Sequence, residues 1–286
     1  MRWSKQRAAL RAILNGAACI RPGSVYDATS ARIAEDIGFE LGMLGGSTAS
    51  LTVLGDPDIM LLTLTELAET VRRITRAGEL PLLVDADHGF GNALNVRRTV
   101  EELESAGAAG LTIEDTLLPT PYGKGKAELI SRDEAAGKMK AACDARCDPQ
   151  LSIFARTAVN IVGLDEAVAR ATVYETTGVD ALFFTGIRTR AELETASRAT
   201  KLPIMLGTTE KEIDDVDYLA GQRVRIANQG HTPFAAATQA VYETLKALRE
   251  GTSPKELKGL PSADLVNGLM RQSKVKDRLA AFLGIR

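Results

Sequence analysis

The chain has 286 residues, of which 45% are hydrophobic and 25% are charged, and its formal net charge is −2. This composition is that of a soluble globular protein, which excludes a disordered chain. Basic residues are interspersed with acidic ones, so nucleic acid is excluded as a partner, and no uncharged apolar run reaches the roughly 18 residues needed to span a membrane. Three cysteines and no signal peptide predict a cytoplasmic protein.

In chain order, the first predicted element is an amphipathic helix, MRWSKQRAALRAILNG. Eight short apolar runs follow, each ending in Gly, Asp, Thr or Asn and separated from the next by a charged stretch of mostly helical period. The eight predicted strands are PGSVYDAT (22–29), FELGMLGG (39–46), LPLLVDAD (80–87), GLTIED (110–115), LSIFART (151–157), ALFFTG (181–186), LPIMLGT (202–208) and VRIAN (224–228). A helical tail at about 232–286 completes the chain.

Strands that are so continuously apolar are typical of a parallel sheet covered by helices on both faces. Eight of them favour closure into a (β/α)8 TIM-type barrel, and 286 residues suit one such barrel. The rival is an open doubly wound sheet, but the glycine-rich segment LGGSTAS lacks the G-x-G-x-x-G spacing of a dinucleotide site. Neither a linker nor a repeat of fixed period divides the chain, which predicts a single domain over 1–286.

Polar residues at the carboxyl ends of barrel strands line the active site in proteins of this fold. Strands three and four bring four acids to neighbouring ends: Asp85, Asp87, Glu114 and Asp115. Crowded carboxylates repel each other unless a cation neutralises them, and oxygen ligands without a nearby cysteine favour Mg²⁺ or Mn²⁺. The alternative is that these acids only cap the helices that follow the strands.

Other strand ends supply candidates for substrate binding. Arg156 can bind a carboxylate through two parallel hydrogen bonds, or can form an ion pair with one of the acids. His231 follows strand eight, opposite the acids, where it is either a surface residue or a catalytic one. LGGSTAS predicts a sharp turn at its two glycines, where Gly46 and Ser47 could hold an anion.

The segments LGMLGGSTAS, GDPD, VDADHGFGNALNVRRTVEELESAGAAGLTIED and ARTAVN resemble the isocitrate lyase and phosphoenolpyruvate mutase superfamily. The resemblance runs from about residue 20 to beyond 240. Within the superfamily, DADHGFGNALNV, TIEDTLLP and NQGHTPFAA are similar to the bacterial oxaloacetate decarboxylase branch.

This resemblance implies several properties of the chain. They include a last barrel helix that swaps between subunits of a homotetramer built as a dimer of dimers. Mg²⁺ is expected to bind directly to Asp85 and through water to Asp58, Asp87 and Glu114. A small dicarboxylate or α-keto acid is expected to contact Gly46, Ser47, Arg156 and His231, of which Arg156 and His231 are the predicted catalytic residues.

Two departures bear on the activity that the resemblance implies. The lyases of the superfamily carry a K-K-C-G-H loop after strand four, whereas this chain has TPYGKGKAELIS (120–131) without a cysteine. Retro-aldol cleavage requires a base, so the missing cysteine favours decarboxylation of oxaloacetate through a metal-stabilised enolate. Thr209 stands where the decarboxylase branch tends to have tyrosine. The alternatives are a lyase acting on a 2-alkylmalate-type acid, an oxaloacetate hydrolase, a phosphonate mutase, and a binding protein without activity.

Overall fold

A computed structural model of the chain describes residues 2–285. It contains eight strands, and each of them precedes at least one helix. The strands are β1 (Gly23–Ser24), β2 (Gly42–Leu44), β3 (Leu82–Asp85), β4 (Gly110–Glu114), β5 (Ser152–Ala158), β6 (Ala181–Thr185), β7 (Ile204–Leu206) and β8 (Val224–Ala227). The helices are α1 (Ser4–Asn15), α2 (Ala28–Asp36), α3 (Gly46–Val53), α4 (Leu64–Thr75), α5 (Ala93–Ala106), α6 (Arg132–Ala145), α7 (Val159–Val162), α8 (Leu164–Glu175), α9 (Arg190–Arg198), α10 (Val216–Gly221), α11 (Thr232–Arg249), α12 (Ala263–Leu269) and α13 (Gln272–Leu283).

All eight strands are parallel and pair in sequence order from β1 to β8. Ile20, just before β1, forms a parallel bridge with Ile226 of β8 and so joins the two edges of the sheet. In this bridge the Ile20 N–H donates to the Arg225 carbonyl at 2.9 Å, and the Ala227 N–H donates to the Ile20 carbonyl at 3.0 Å. The predicted (β/α)8 barrel is therefore confirmed. The exchange of its last helix between subunits stays a prediction.

Two apolar clusters stabilise the barrel. The larger one fills the space between the strands and the surrounding helices, as the continuously apolar strands predict. The smaller one combines inward-facing strand residues such as Leu83 and Phe154 with Leu10 and Leu14 of α1. The amphipathic N-terminal helix thus packs its apolar face against the barrel interior, and each buried leucine contributes about 1.5–3 kcal/mol. Because α1 covers this end of the barrel interior with apolar side chains, polar residues that could bind a ligand are expected at the opposite, carboxyl end of the strands.

The chain divides into two compact units, Met1–Thr232 and Pro233–Arg286. The first unit contains all eight strands and α1 to α10. The second contains α11 from Pro233 onward, α12 and α13, and none of these three helices has a buried residue within the part of the chain described. Among residues 2–285, we find no helix that is both long and apolar enough to cross a membrane.

Candidate active site

A cavity of about 430 Å³ opens at the carboxyl ends of the strands, where the barrel fold places active sites. Seven of the residues predicted from the sequence line it: Ser47, Asp58, Asp85, Asp87, Glu114, Arg156 and His231. Gly46 does not line the cavity directly. The volume lies within the range of small-molecule sites.

Three adjacent strands build the centre of this cavity. The register pairs Asp85 of β3 with Thr112 of β4, and Glu114 of β4 with Arg156 of β5. The Arg156 guanidinium donates through Nη1 to Asp85 Oδ2 at 2.9 Å, and its Nη2 lies 3.0 Å from Glu114 Oε2. Thr112 donates its hydroxyl to Asp85 Oδ1 at 3.0 Å. Asp85 is therefore held on both oxygens.

The same contacts show that Arg156 forms ion pairs with acids of the protein itself. Its fork binds two acids of the protein, Asp85 and Glu114, which agrees with the ion-pair interpretation and extends it from one acid to two. A guanidinium has five N–H groups, so those not directed at the two acids remain able to bind a substrate carboxylate. The Arg156 guanidinium also lies over the Phe183 ring, 5.3 Å from its centroid, which restricts its orientation.

Negative charge is incompletely balanced in this cavity. Burial raises the pKa of Asp87 well above its ordinary value, and the charges of Asp85, Asp58 and Glu114 raise it further. Burial likewise raises the pKa of Glu114 against the opposing effect of Arg156, and partial desolvation raises the pKa of Asp58 at the cavity rim. Three of the four acids therefore retain protons more readily than free carboxyl groups do.

Helix capping does not account for these acids. The residue that caps α2 is Asp27, and the one that caps α5 is Asn92. Asp85 is the last residue of β3 and Glu114 is the last residue of β4, while Asp87 lies in the connection between β3 and α5. The capping alternative is wrong for all three.

Gly45 and Gly46 allow other side chains to approach the backbone. Gly45 is extended (φ −87°, ψ 149°) and Gly46 begins α3, so the sharp glycine turn expected there is absent. A methyl group on Gly46 would lie 2.5 Å from Asp87 Oδ1, and one on Gly45 would overlap the His231 ring. The two glycines are thus required because Asp87 and His231 pack against them.

His231 is fixed by a partner that sequence analysis missed. Its Nδ1 lies 2.8 Å from the Ser24 hydroxyl at the end of β1, and its Nε2 lies beside Gly45. Burial lowers the pKa of His231, although the charges of Asp85 and Asp58 oppose this effect. The ring is therefore neutral near pH 7. When Ser24 donates to Nδ1, the single ring proton is on Nε2.

Three further polar residues near the strand ends lie outside the cavity lining. Asp115, expected in the same corner as the other acids, is fully buried on the opposite face of β4. Thr209 donates its hydroxyl to Asp214 at 2.6 Å. His88 is buried, and its Nδ1 has no hydrogen-bond partner in the described chain. Desolvation lowers the pKa of His88 to about 4.

The chain is similar to known proteins over its full length. The family model described as phosphoenolpyruvate phosphomutase matches residues 10–249. The chain belongs to this family. A relative named oxaloacetate decarboxylase from Bradyrhizobium sp. (strain ORS 278) is 65% identical, covering 100% of this chain and 99% of its own. Another of that name, from Bradyrhizobium diazoefficiens, is 64% identical over 100% of both chains.

A solved structure of phosphonopyruvate hydrolase in complex with oxalate and Mg²⁺ is also similar to this member of the phosphoenolpyruvate phosphomutase family. It has a TM-score of 0.85 and 30% sequence identity, and the match covers 97% of this chain and 99% of that one. The similarity therefore extends over nearly the whole length of both chains.

Several polar residues of the site were not identified from the sequence: Ser24, Thr112, Thr116, Asn160 and Thr185. Period-2 alternation could have identified two of them, because Thr112 and Thr116 flank Glu114 at a spacing of two and so share its face of the strand. Ser24 offered no comparable signal, since its role depends on His231, which is distant in the chain.

The site of this family member has the donors that a hard divalent cation requires. Four carboxyl groups face one guanidinium and a neutral imidazole. Burial, together with repulsion from neighbouring carboxylates, raises the pKa values of three of them. No three His, Cys, Asp or Glu side chains within 2–285 converge closely enough to ligate one ion by themselves. One direct carboxylate with further contacts through water suits Mg²⁺, which keeps several waters in protein sites.

Proposed function

We propose that the protein decarboxylates oxaloacetate to pyruvate and CO₂ with the help of a bound divalent cation, Mg²⁺ or Mn²⁺. The observation that carries the proposal is the full-length identity of 65% to a relative named oxaloacetate decarboxylase. The cavity supports it, because an all-oxygen acidic cluster lies beside Arg156, the one arginine that lines it among the described residues.

Asp85 is the proposed direct ligand of the cation, with Asp58, Asp87 and Glu114 contacting it through water. Asp85 Oδ1 accepts from both the Thr112 hydroxyl and the Asp87 N–H. Asp85 Oδ2 accepts only from Arg156, so it retains a second lone pair for the cation. When bound, the cation would supply positive charge that stabilises the enolate formed as the bond to the leaving carboxylate breaks.

The residues of the chain have distinct roles under this proposal. Arg156 orients a substrate carboxylate with its remaining N–H groups, while its bonds to Asp85 and Glu114 keep the guanidinium in place. Ser47, near the start of α3, binds the oxygen of the substrate that becomes negative, and Gly46 allows Asp87 to approach. His231 donates a hydrogen bond to the substrate from Nε2 and helps protonate the enolate.

Product analysis tests this proposal. Purified protein with Mg²⁺ and oxaloacetate is followed by proton NMR, with Mg²⁺ alone as the control. Decarboxylation gives pyruvate well above the control rate, because the electron pair of the cleaved bond enters the adjacent carbonyl. Formation of oxalate with acetate, or no acceleration over the control, would contradict it. Cleavage of a 2-alkylmalate in a parallel sample would support the lyase alternative instead.

A second prediction concerns the effect of Mg²⁺ on stability at different pH. The raised pKa values of Asp58, Asp87 and Glu114 mean that folding without the cation becomes less favourable as pH rises through them. The cation requires deprotonated carboxylates, so the increase in Tm that it causes should be larger at about pH 8 than at about pH 5.

The expected stabilisation is about 2.7 kcal/mol when free Mg²⁺ is a hundredfold above its Kd. Differential scanning fluorimetry measures it, with KCl at matched ionic strength as the control. An equal increase in Tm at both pH values, or the same increase with KCl, would show that these acids do not bind the cation.

We also propose that the chain assembles into a homotetramer, a dimer of dimers. The helices of the second unit expose large apolar side chains, including Tyr242, Leu245, Leu265 and Phe282, which are 51–81% exposed. Such patches mark association surfaces. Light scattering coupled to size exclusion should give about four times the mass of 30.6 kDa, and a monomer would contradict the proposal.

A cytoplasmic location is proposed because all three cysteines are free.

A further inference from the structure

A second buried layer of polar residues lies directly behind the acid–arginine pair. Asp115 and Thr157 follow Glu114 and Arg156 in the chain, so the strand pleat directs their side chains to the opposite face. There the Thr157 hydroxyl donates to Asp115 Oδ2 at 2.8 Å. Asp115 is 0% exposed and Thr157 is 2% exposed. The two strands are thus joined by side chains on both faces at the same level.

Helix α8 supplies two more donors to the same oxygen. Arg170 donates from Nη1 to Asp115 Oδ2 at 3.1 Å, and the Tyr174 hydroxyl donates to it at 2.6 Å. Burial and the charge of Asp115 raise the pKa of Tyr174, so its hydroxyl keeps the proton that it donates. Asp115 Oδ1 has no hydrogen-bond partner in the described part of the chain. All three donors therefore fix one oxygen and, through it, the orientation of the side chain.

The Asp115 backbone transmits this restraint to the cavity. Its N–H donates to the Arg156 carbonyl at 3.2 Å, and its carbonyl accepts from the Ile130 N–H at 2.9 Å. Asp115 thereby joins β4 to the backbone of Arg156 and to the returning end of segment 116–130. A displacement of its side chain would move the backbone that carries the catalytic arginine.

Arg170 also forms an ion pair on the side away from Asp115. Its Nε donates to Glu166 Oε1 at 2.9 Å, and the same carboxylate accepts from Arg132 Nε at 2.9 Å. Arg132 is the first residue of α6, immediately after the segment that follows β4. Helices α6 and α8 thus both anchor this layer.

We propose that Asp115, Thr157 and Tyr174 are positioning residues, which fix Glu114 and Arg156 for catalysis without touching the substrate. The inference rests on the proposed function, because it assigns these residues to the same site. None of the three lines the cavity among the described residues. Their effect comes from geometry: a misplacement of about 1 Å in a catalytic group can reduce a rate by about a hundredfold.

The test compares single hydroxyl deletions that are matched in burial. Thr157→Val and Tyr174→Phe remove one donor each from the positioning layer. Thr75→Val is the control, because the buried Thr75 hydroxyl donates to the Ala106 carbonyl at 2.7 Å, away from the cavity lining. Each variant is measured for Tm, for kcat and KM with oxaloacetate, and for the NMR signal of the Arg156 Nε–H. That signal is assigned by its loss in Arg156→Lys.

We expect Thr157→Val and Tyr174→Phe to lower kcat/KM about tenfold and to shift the Arg156 signal. Thr157→Ser should restore both, since it keeps the hydroxyl. Thr75→Val should lower Tm similarly and change neither. If the two site variants match the control in kinetics, or leave the Arg156 signal unmoved, the positioning role is refuted. If the wild-type protein does not turn over oxaloacetate, the proposed function fails, and the Arg156 signal alone decides the positioning role.

Discussion

Asp85→Asn should lower kcat for oxaloacetate decarboxylation by about a thousandfold or more, which corresponds to about 4 kcal/mol of lost transition-state stabilisation. The substitution preserves the size of the side chain and removes the charge that is proposed to bind the cation. Fold stability should not fall in parallel. Burial is the main cause of the raised pKa values of the other three acids, and the charge of Asp85 raises each of them further, so removing that charge relieves repulsion. We therefore expect the metal-free variant to have a Tm equal to or higher than that of the wild type.

Asp148→Asn is the matched control, because Asp148 is also paired with an arginine. Its Oδ2 lies 2.7 Å from Arg7 Nη1, and both side chains are nearly fully buried. Breaking that pair should reduce stability by about 3 kcal/mol and leave kcat per folded molecule unchanged. If Asp85→Asn behaves like Asp148→Asn, with a lower Tm and retained turnover, then Asp85 is a structural residue and the proposed metal site is wrong.

Gly45→Ala should reduce kcat/KM by about ten- to a hundredfold while the fold is retained. Alanine adopts the extended conformation of Gly45 without strain, so the effect comes from the added methyl group. That group would overlap the His231 ring, which Ser24 holds at Nδ1, and the ring must move away from its position in the cavity. Steady-state kinetics and near-UV circular dichroism separate loss of activity from loss of structure.

Gly137→Ala is the control for this substitution. Gly137 lies within α6, where a methyl group would contact no other heavy atom. The change should raise stability by about 0.5–1 kcal/mol, because alanine is the better helix former, and should not affect kinetics. Wild-type activity in Gly45→Ala would show that the position of His231 is not needed for the reaction.

The barrel and most of its site could be predicted because both depend on a repeated local pattern. Each apolar run ends in polar residues, and the fold gathers these ends at one side of the barrel. Asp85, Glu114 and Arg156 could therefore be assigned to one cavity from their positions in the chain. Asp58 was assigned by family resemblance, because it lies in the loop between α3 and α4 rather than at a strand end.

Other features depend on contacts that the chain order does not express. Asp115 follows Glu114 directly, and only the pleat of β4 directs the two acids to opposite faces. The period-2 alternation of side chains along β4 would have predicted that Glu114 faces the cavity and Asp115 faces the helices. Asp87 has a left-handed backbone (φ 48°), which removes it from the alternation of β3 and allows it to reach Gly46. The sequence predicted a turn at Gly45 and Gly46. The structure shows that glycine is needed there because side chains from other segments pack against the two residues.

Near the carboxyl ends of β3, β4 and β5, charged side chains form two layers, one inside the barrel and one between the strands and the helices. The inner layer, Asp85, Glu114 and Arg156, has excess negative charge and faces the cavity. The outer layer, Asp115, Arg170 and Tyr174, is buried between the strands and α8 and is held by direct hydrogen bonds. A divalent cation would complete the inner layer, whereas the outer layer is already neutralised by its own arginine. This difference explains why acids next to each other in the chain have different proposed roles.

The most direct test of the account is the rate of pyruvate formation from oxaloacetate by protein stripped of metal and then titrated with Mg²⁺, after subtraction of the rate with Mg²⁺ alone. The account predicts no corrected activity before the titration and a rate that rises to saturation as the acidic cavity fills. A corrected rate that stays at zero throughout, or one that is already maximal in the stripped protein, would contradict it.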